Sequence, residues 1–352
     1  MGRFIEGWLN KKLNSKRIMK HMEGIKPQKV PRDIDKDDII VSCVQRSIKP
    51  VGKIEDYINM AESFVSQAAK EGSDMIVFPE YNFFDLLGIL PGIRIINTYM
   101  NSKPVKTENS GKEDSSDNSS GLLKEIFLSI AKPIQNAIEL IMCDLAKKHG
   151  IYIYTGSYFI REENNIYNGG AMISRRGDII GIQKKLHLTD FEEGLGIKRG
   201  NSFNVFELDI GKVVCPICMD ATYFETFSIA RSLGCDIVIL PIANNEEYRL
   251  FRALRGIWPR VQESFVYGIK SSLNGWFCGL HFTGKAGIFA PLELTEKKDG
   301  IISISKEYEG DILITGKINV LDLHKARENN EYFGDINPDF EKDYFIKTYK
   351  GV

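Results

Sequence analysis

Apolar runs of strand length alternate with amphipathic segments along most of this chain, and the alternation predicts strands and helices in turn. Ile39-Ile40-Val41-Ser42-Cys43-Val44 is a β-branched run suited to a buried strand. Apolar positions over 54–69 recur at helical spacing until Gly72 stops them. Met75-Ile76-Val77-Phe78-Pro79-Glu80 is a second apolar run, ending in a carboxylate. Strand, helix, strand implies a parallel pair, because parallel strands need a crossover connection. A helix over about 122–148 follows, interrupted near Pro133. After Gly150 the pattern shortens. Strands are expected over 151–158, 170–174 and 179–181, with Arg176-Gly177-Asp178 as a hairpin turn, then over 203–208 and 213–218. Residues 224–233 read as a helix, 235–241 as a buried strand and 250–267 as a helix. Further strands are expected over 268–272, 286–290 and 312–320. No repeat with a period of roughly 20–50 residues is visible. The pattern is that of a strand-rich α/β chain with one catalytic domain.

Three stretches depart from it. Within 1–37, Phe4, Ile5, Trp8, Leu9 and Leu13 fall at helical spacing, with Lys11, Lys12, Lys16, Arg17 and Lys20 among them. Such a basic amphipathic helix suits a membrane surface or a partner; docking on its own protein or on a dimer mate is the preferred reading. Pro27 and Pro31 mark a linker. Over 101–121, Lys112-Glu113-Asp114-Ser115-Ser116-Asp117-Asn118-Ser119-Ser120 has too little apolar area to offset its ordering entropy, which predicts a mobile surface loop. The plan is an N-terminal helical extension and linker over 1–37, a core over 38–327 carrying a flexible insertion at about 101–121, and a C-terminal tail over 328–352.

Composition narrows the class. Hydrophobic residues make up 43% and charged residues 26% of the 352, ordinary for a globular chain. Lys and Arg number 46 against 47 Asp and Glu, a net charge of -1. That balance gives no basis for nucleic-acid binding and little long-range steering, so a small molecule held by local groups is expected. The six cysteines, at 43, 143, 215, 218, 235 and 278, are too sparse for a disulfide scaffold. The opening residues show no secretory pattern, and uninterrupted apolar runs stay far short of the roughly 18 residues of a membrane span. A reduced, cytoplasmic setting is expected.

Three strand ends carry reactive side chains out of apolar runs. Glu80 follows Phe78-Pro79 where a buried strand meets a loop. Partial desolvation there raises a carboxyl pKa and fits it to shuttle protons near neutrality, although a capping or salt-bridged glutamate shares these surroundings. Lys185, in Gln183-Lys184-Lys185-Leu186-His187-Leu188, taken alone reads as a solvated strand edge. Cys218 ends the run Val213-Val214-Cys215-Pro216-Ile217-Cys218 and precedes Met219-Asp220. Backbone N–H groups after such a turn can hold a developing oxyanion, and a helix N-terminus favours thiolate over thiol; a lone cysteine there is more often core. Cys215 and Cys218 also form a CxxC. Pro216 between them and the lack of a second pair leave metal or redox use unsupported.

The order and spacing of these three residues carry more than any one of them. Glu80, Lys185 and Cys218 resemble the Glu…Lys…Cys order of the carbon–nitrogen hydrolase (nitrilase) superfamily. The likeness extends through Phe78-Pro79-Glu80, Tyr167-Asn168, Lys185-Leu186-His187-Leu188-Thr189, and Ile217-Cys218-Met219-Asp220 with Glu225 beyond it. It continues in Arg231-Ser232-Leu233-Gly234-Cys235-Asp236-Ile237 with Pro241, and over 260–274, covering about 38–327 in all. Within the superfamily the chain looks most similar to a poorly characterised bacterial branch that is sometimes fused to an acetyltransferase domain. Met219, Phe224 and Asp190 stand where the family usually has Tyr, Pro and Pro; none of these removes a reacting group.

The resemblance implies a four-layer αββα sandwich that dimerises into αββααββα, giving a homodimer or higher even-numbered oligomer. It implies hydrolysis of a non-peptide C–N bond in an amide, or less commonly a nitrile or N-carbamoyl compound, through a cysteine thioester. Cys218 would be the nucleophile, Glu80 the proton-transfer group and Lys185 the cation on the oxyanion, joined there by the backbone N–H of Met219. Glu192, or else Glu193, would be the supporting glutamate, with Glu192 preferred. No metal or organic cofactor is implied. Rival readings are an acyltransferase that delivers the same acyl group to an amine, a catalytically idle binding or scaffold protein, and a Cys/His dyad using His187 or His281. The P-loop-like Gly279-Leu280-His281-Phe282-Thr283-Gly284-Lys285-Ala286 is rejected, because Ala286 has no hydroxyl and the next residues read as a strand. Tyr81, Asn82, Trp258 and Trp276 are candidate pocket lining without assigned roles.

Overall fold

The computed structural model describes residues 2–28, 37–102, 117–254, 256–330, 337 and 339–344. The linker around Pro31, most of the 101–121 insertion and most of the 328–352 tail lie outside them. In chain order the strands are β1 (Ile39–Ser47), β2 (Met75–Val77), β3 (Tyr152–Tyr154), β4 (Tyr158–Glu162), β5 (Asn165–Ile173), β6 (Ile179–Lys184) and β7 (Val205–Leu208). They continue with β8 (Gly211–Val214), β9 (Ile237–Ile242), β10 (Tyr267–Phe277), β11 (Leu280–Phe282), β12 (Gly287–Phe289), β13 (Ile301–Ile304) and β14 (Ile312–Ile318). The helices are α1 (Gly2–Lys12), α2 (Ser15–Met22), α3 (Ile54–Lys70), α4 (Ile93–Asn101), α5 (Asp117–His149), α6 (Asp190–Gly194), α7 (Phe224–Ser232), α8 (Leu250–Leu254), α9 (Trp258–Ser264) and α10 (Val320–Asn329).

The strands form two sheets that meet along one seam. In the first, β6, β5, β3, β2, β1 and β14 lie side by side, with β4 also on β5. In the second, the order is β7, β8, β9, β10, β12, β13. The seam is the parallel pairing of Gln45, Arg46 and Ser47 on β1 with Ser272, Leu273 and Asn274 on β10. The expected β1–α3–β2 unit is present, with Val41, Ser42 and Cys43 in parallel register with Met75, Ile76 and Val77.

Side-chain alternation along the strands divides the core into three layers of contact. Val41, Cys43, Met75, Val77, Val213, Cys215, Ile237 and Ile239 meet between the sheets. Val44, Ile76 and Phe78 face α3 and α5. Val214, Val238 and Leu240 face α7 and α9. Helices, sheet, sheet, helices is the four-layer αββα sandwich.

α1 and α2 are part of the first helical layer. Leu9, Leu13, Ile18 and Met22 are buried with the residues of α3 and α5, each worth roughly 1.5–3 kcal/mol when fully covered. One helix where a single segment was expected is thus two, with Asn14 capping the second through bonds from Lys16 N (2.9 Å) and Arg17 N (3.4 Å).

Three sequence expectations need correction. α5 is not interrupted at Pro133; it is continuous and begins at Asp117, inside the stretch expected to be loop. Ile130, Ile134, Ala137, Ile138 and Ile141 pack on the sheet from both sides of the proline, which offsets the hydrogen bond it cannot donate. Part of this helix, Lys124–His149, is by length and composition apolar enough to cross a membrane, and 56% of its most apolar window is buried inside the fold, as befits a core helix. The helix expected over 250–267 is two, α8 and α9. Pro259 in the first turn of α9 marks the restart, because proline is tolerated there and not within a helix, and Tyr267 already belongs to β10. The strand expected over 151–158 is likewise two, β3 and β4, separated by a turn at Gly156, where φ is 71°.

Candidate active site

The ends of parallel strands from both sheets open on one side of the seam. Glu80 lies three residues beyond β2, Lys185 directly follows β6, and Cys218 comes four residues after β8. The chain must turn sharply at each. At Cys218 it does so in the left-handed region, with φ of 45°, and passes into a 3-10 turn over Cys218–Thr222. A non-glycine residue held there costs of order 1–3 kcal/mol and is retained only where surrounding contacts impose it.

Those contacts centre on Asp220, which is fully buried. Its carboxylate accepts from Ile217 N (2.9 Å), Leu186 N (3.1 Å), His187 N (2.6 Å) and His187 Nδ1 (3.0 Å). One side chain thereby ties the cysteine turn to the segment that follows Lys185. His187, stacked on Tyr223 at 4.3 Å between ring centroids, is a partner of Asp220; His281 bonds Glu309 and stacks on Trp276.

Glu80, Lys185 and Glu192 are each at most 1% exposed. The Lys185 ammonium donates to Glu80 Oε1 at 2.8 Å and to Glu192 at 3.0 and 2.8 Å. Asn168 Nδ2 bridges the same carboxylates, at 3.0 Å to Glu80 and 2.9 Å to Glu192. Tyr81 donates its hydroxyl to Glu192 (2.6 Å). Glu192 also closes a capping box at the start of α6, accepting from Thr189 N (2.9 Å) and Thr189 Oγ1 (3.0 Å). Glu193, the competing assignment, turns outward to Arg199.

The Cys218 thiol hydrogen-bonds to Glu80 and feels the Lys185 charge; its Sγ lies 3.5 Å from Asn244 Oδ1, just past β9. The four side chains singled out in the sequence are therefore together. Trp258 is elsewhere, donating to the Asp299 carbonyl (2.7 Å) in the outer layer.

Burial pushes the Glu80 carboxyl above its ordinary value, and Glu192 adds to this against the pull of Lys185. Glu192 is also raised by burial, but Lys185 and its donors overcome that and hold it low. Burial pulls Lys185 down, and Glu80, the sulfur and Glu192 more than reverse it. Two neighbouring carboxyls are thus set apart, one fixed as an anion and one able to take and give protons near neutral pH. Cys218 is pushed well up, by burial first and then by Glu80. The expectation of a resting thiolate at the turn is overturned: the site holds a thiol beside its base.

Behind Glu80, backbone packs on backbone. A Cβ on Gly156 would come within 2.0 Å of the Pro79 carbonyl oxygen, and one on Gly170 within 2.0 Å of the Gly156 carbonyl oxygen. Arg46 and Asp85 form a buried ion pair, and Arg46 also reaches Asn82 (3.3 Å). Asn82 donates to the Thr155 carbonyl (3.0 Å). The loop that carries Glu80 and Tyr81 is thus held from both sides.

A family model described as carbon-nitrogen hydrolase matches residues 40–251, more than half of the chain. The chain belongs to the carbon–nitrogen hydrolase family. It is 27% identical over 297 residues to "Probable hydrolase YhcX" of Bacillus subtilis, covering 82% of this chain and 51% of that protein. With "Nitrilase" of Pyrococcus abyssi it shares 24% over 291 residues, 82% of this chain and 92% of the other. The chain thus spans about half the length of the first relative and nearly all of the second. Among solved structures, an amidase of the nitrilase superfamily from Nesterenkonia AN1 superposes with a TM-score of 0.63 at 14% identity, over 90% of this chain and 99% of that one, a likeness of fold. Within this carbon–nitrogen hydrolase, Asn168, Asp220, Tyr81 and Asn244 are the site residues to which sequence reasoning gave no role. Asn168 lay inside a motif already noticed, and Asp220 directly follows the Cys-Met pair, so position alone could have drawn attention to both.

Proposed function

We propose that this chain is an amidohydrolase acting on a small C–N compound through a thioester at Cys218. The observation that carries the reading is one contact set, in which the Cys218 thiol bonds a carboxyl that Lys185 also touches at 2.8 Å. Glu80 takes the thiol proton as sulfur attacks the acyl carbon. The oxyanion that forms is met by the Lys185 ammonium and the Met219 backbone N–H. The C–N bond breaks, Glu80 gives its proton to the departing amine, and the acyl group remains on sulfur. Glu80 then deprotonates a water, which attacks the thioester; the acid leaves and the sulfur is reprotonated. Glu192 keeps Lys185 charged and in place throughout. Short linear amides are the favoured substrates, ahead of nitriles and N-carbamoyl compounds. In support, the Nesterenkonia amidase takes up the acetamide moiety of fluoroacetamide covalently at its active-site cysteine.

We also place the chain in the bacterial branch in which some members carry a fused acetyltransferase domain, since the Bacillus relative extends well beyond the aligned stretch. A homodimer or larger even-numbered assembly belongs to the same proposal.

The test is ammonia release across short amides, nitriles and N-carbamoyl compounds. At least one class should turn over, Cys218→Ala should turn over none while keeping its circular dichroism and Tm, and Glu80→Gln should slow thiol titration by a small electrophile. A Cys218→Ala protein that still releases ammonia would overturn the reading.

A further inference from the structure

α4 is mounted with its polar side inward. Asn97 and Asn101, one turn apart, accept from the backbone of the β10–β11 turn, at 2.7 Å from Cys278 N and 2.8 Å from Gly279 N. These bonds fix the roll of the helix. The opposite face then carries Ile95, 77% exposed, and Tyr99, 61% exposed, with Ile96 and Met100 beside them. No residue of α4 is buried. A surface helix of a globular chain normally turns its apolar stripe to the core, so this inversion needs an occupant.

The patch extends onto α1. Trp8 and Lys12 share a hollow of about 840 Å³ with Arg94, Ile95 and Tyr99. Trp8 Nε1 donates to the Ile89 carbonyl (3.3 Å), and the Lys12 ammonium sits 5.0 Å from the Trp8 ring. Phe4, 71% exposed, lies one turn before Trp8 on the same stripe. Arg3 and Lys11 are exposed on α1 beside it. None of the described residues lining the hollow is acidic, and α4 itself contains no acidic residue.

We propose that this face, α4 with the Phe4–Trp8–Lys12 stripe of α1, docks on an anionic lipid surface. Protruding isoleucines with Tyr and Trp at their margin and arginine and lysine around them match an interfacial element, in which apolar side chains enter the headgroup boundary and cations meet lipid phosphate. A second copy fits less well: two such faces would oppose Lys12 and Arg94 to their own kind with no acidic partner. The α1 residues that suggested amphipathicity in the sequence, Leu9 and Leu13, are spent inside the fold, so the contact belongs mainly to α4.

The test is co-flotation of the full chain with vesicles of phosphatidylcholine alone or with about a third phosphatidylserine. Binding is expected to the anionic vesicles, falling several-fold from low to physiological salt. Ile95→Glu with Tyr99→Glu should abolish it, and Lys12→Glu with Arg94→Glu should reduce it at least tenfold. Ammonia release and Tm should stay at the parent's level in both. Ile229→Glu, on exposed α7, should leave flotation unchanged. No flotation with anionic vesicles, or flotation indifferent to the α4 substitutions, would overturn the proposal. So would a change in sedimentation mass on Ile95→Glu, which would assign the face to a second copy.

Discussion

At Glu80 the chemistry and the stability of the fold pull against each other. Its carboxyl binds its proton more tightly in the folded chain than in the unfolded one. The folded state therefore carries more protons between the ordinary carboxylate value and the raised one, and stability falls as pH rises through that window. Glu80→Gln removes the ionisable group and keeps the shape. It should abolish turnover, flatten this pH dependence and leave Tm at pH 7 at or above the parent's; a lower Tm would show that the anion stabilises the site. For the same reason the acid limb of kcat/KM should lie above the ordinary carboxylate range and vanish with the carboxyl. Lys185→Met is the opposite case. It leaves two buried carboxylates unpaired and should cost about 3–5 kcal/mol of stability along with activity, read by denaturant titration. The sequence made Glu80, Lys185 and Cys218 legible because each ends an apolar run, where pattern and chemistry meet. Asn168 and Asp220 were not, because what they do is bridge segments 24 to 88 residues apart, a relation with no period along the chain.

Elements hold the site through close approaches and caps. Gly156→Ala should push the Pro79 carbonyl, and Glu80 with it, out of place, adding to the strain of a positive φ. Loss of kcat well beyond any change in KM is expected; unaltered kcat would mean that the turn relaxes elsewhere. Pro133→Ala should do the reverse to α5, raising unfolding stability by up to about 3 kcal/mol without touching activity. The elements themselves were largely readable: β1, α3, β2, α7 and β9 lie where periodicity put them. Breaks were harder. Apolar spacing runs unbroken across 250–267, and only Pro259 marked the restart of the helix, while at Pro133 a proline that looked like a break is carried by packing on both sides.

For the whole molecule, two exposed apolar faces differ in their charge. The α4 face is purely cationic. On α7, exposed Phe224, Ile229 and Leu233 stand with both Glu225 and Arg231, a mixture that allows self-pairing, and we assign the even-numbered assembly to it. Light scattering should give a dimer or a multiple of one, and Ile229→Glu with Leu233→Glu should halve the mass or reduce it further. Layer order could be foreseen from the family likeness; the inverted roll of α4 could not, since its sequence is equally that of a buried helix. One ammonium, finally, serves two carboxylates. Whenever Glu80 is ionised, the fixed groups around the sulfur sum to one surplus negative charge. Acyl chains ending in their own carboxylate meet this surplus head-on unless a cation accompanies them, so uncharged amides should be processed faster than their acidic analogues of equal length.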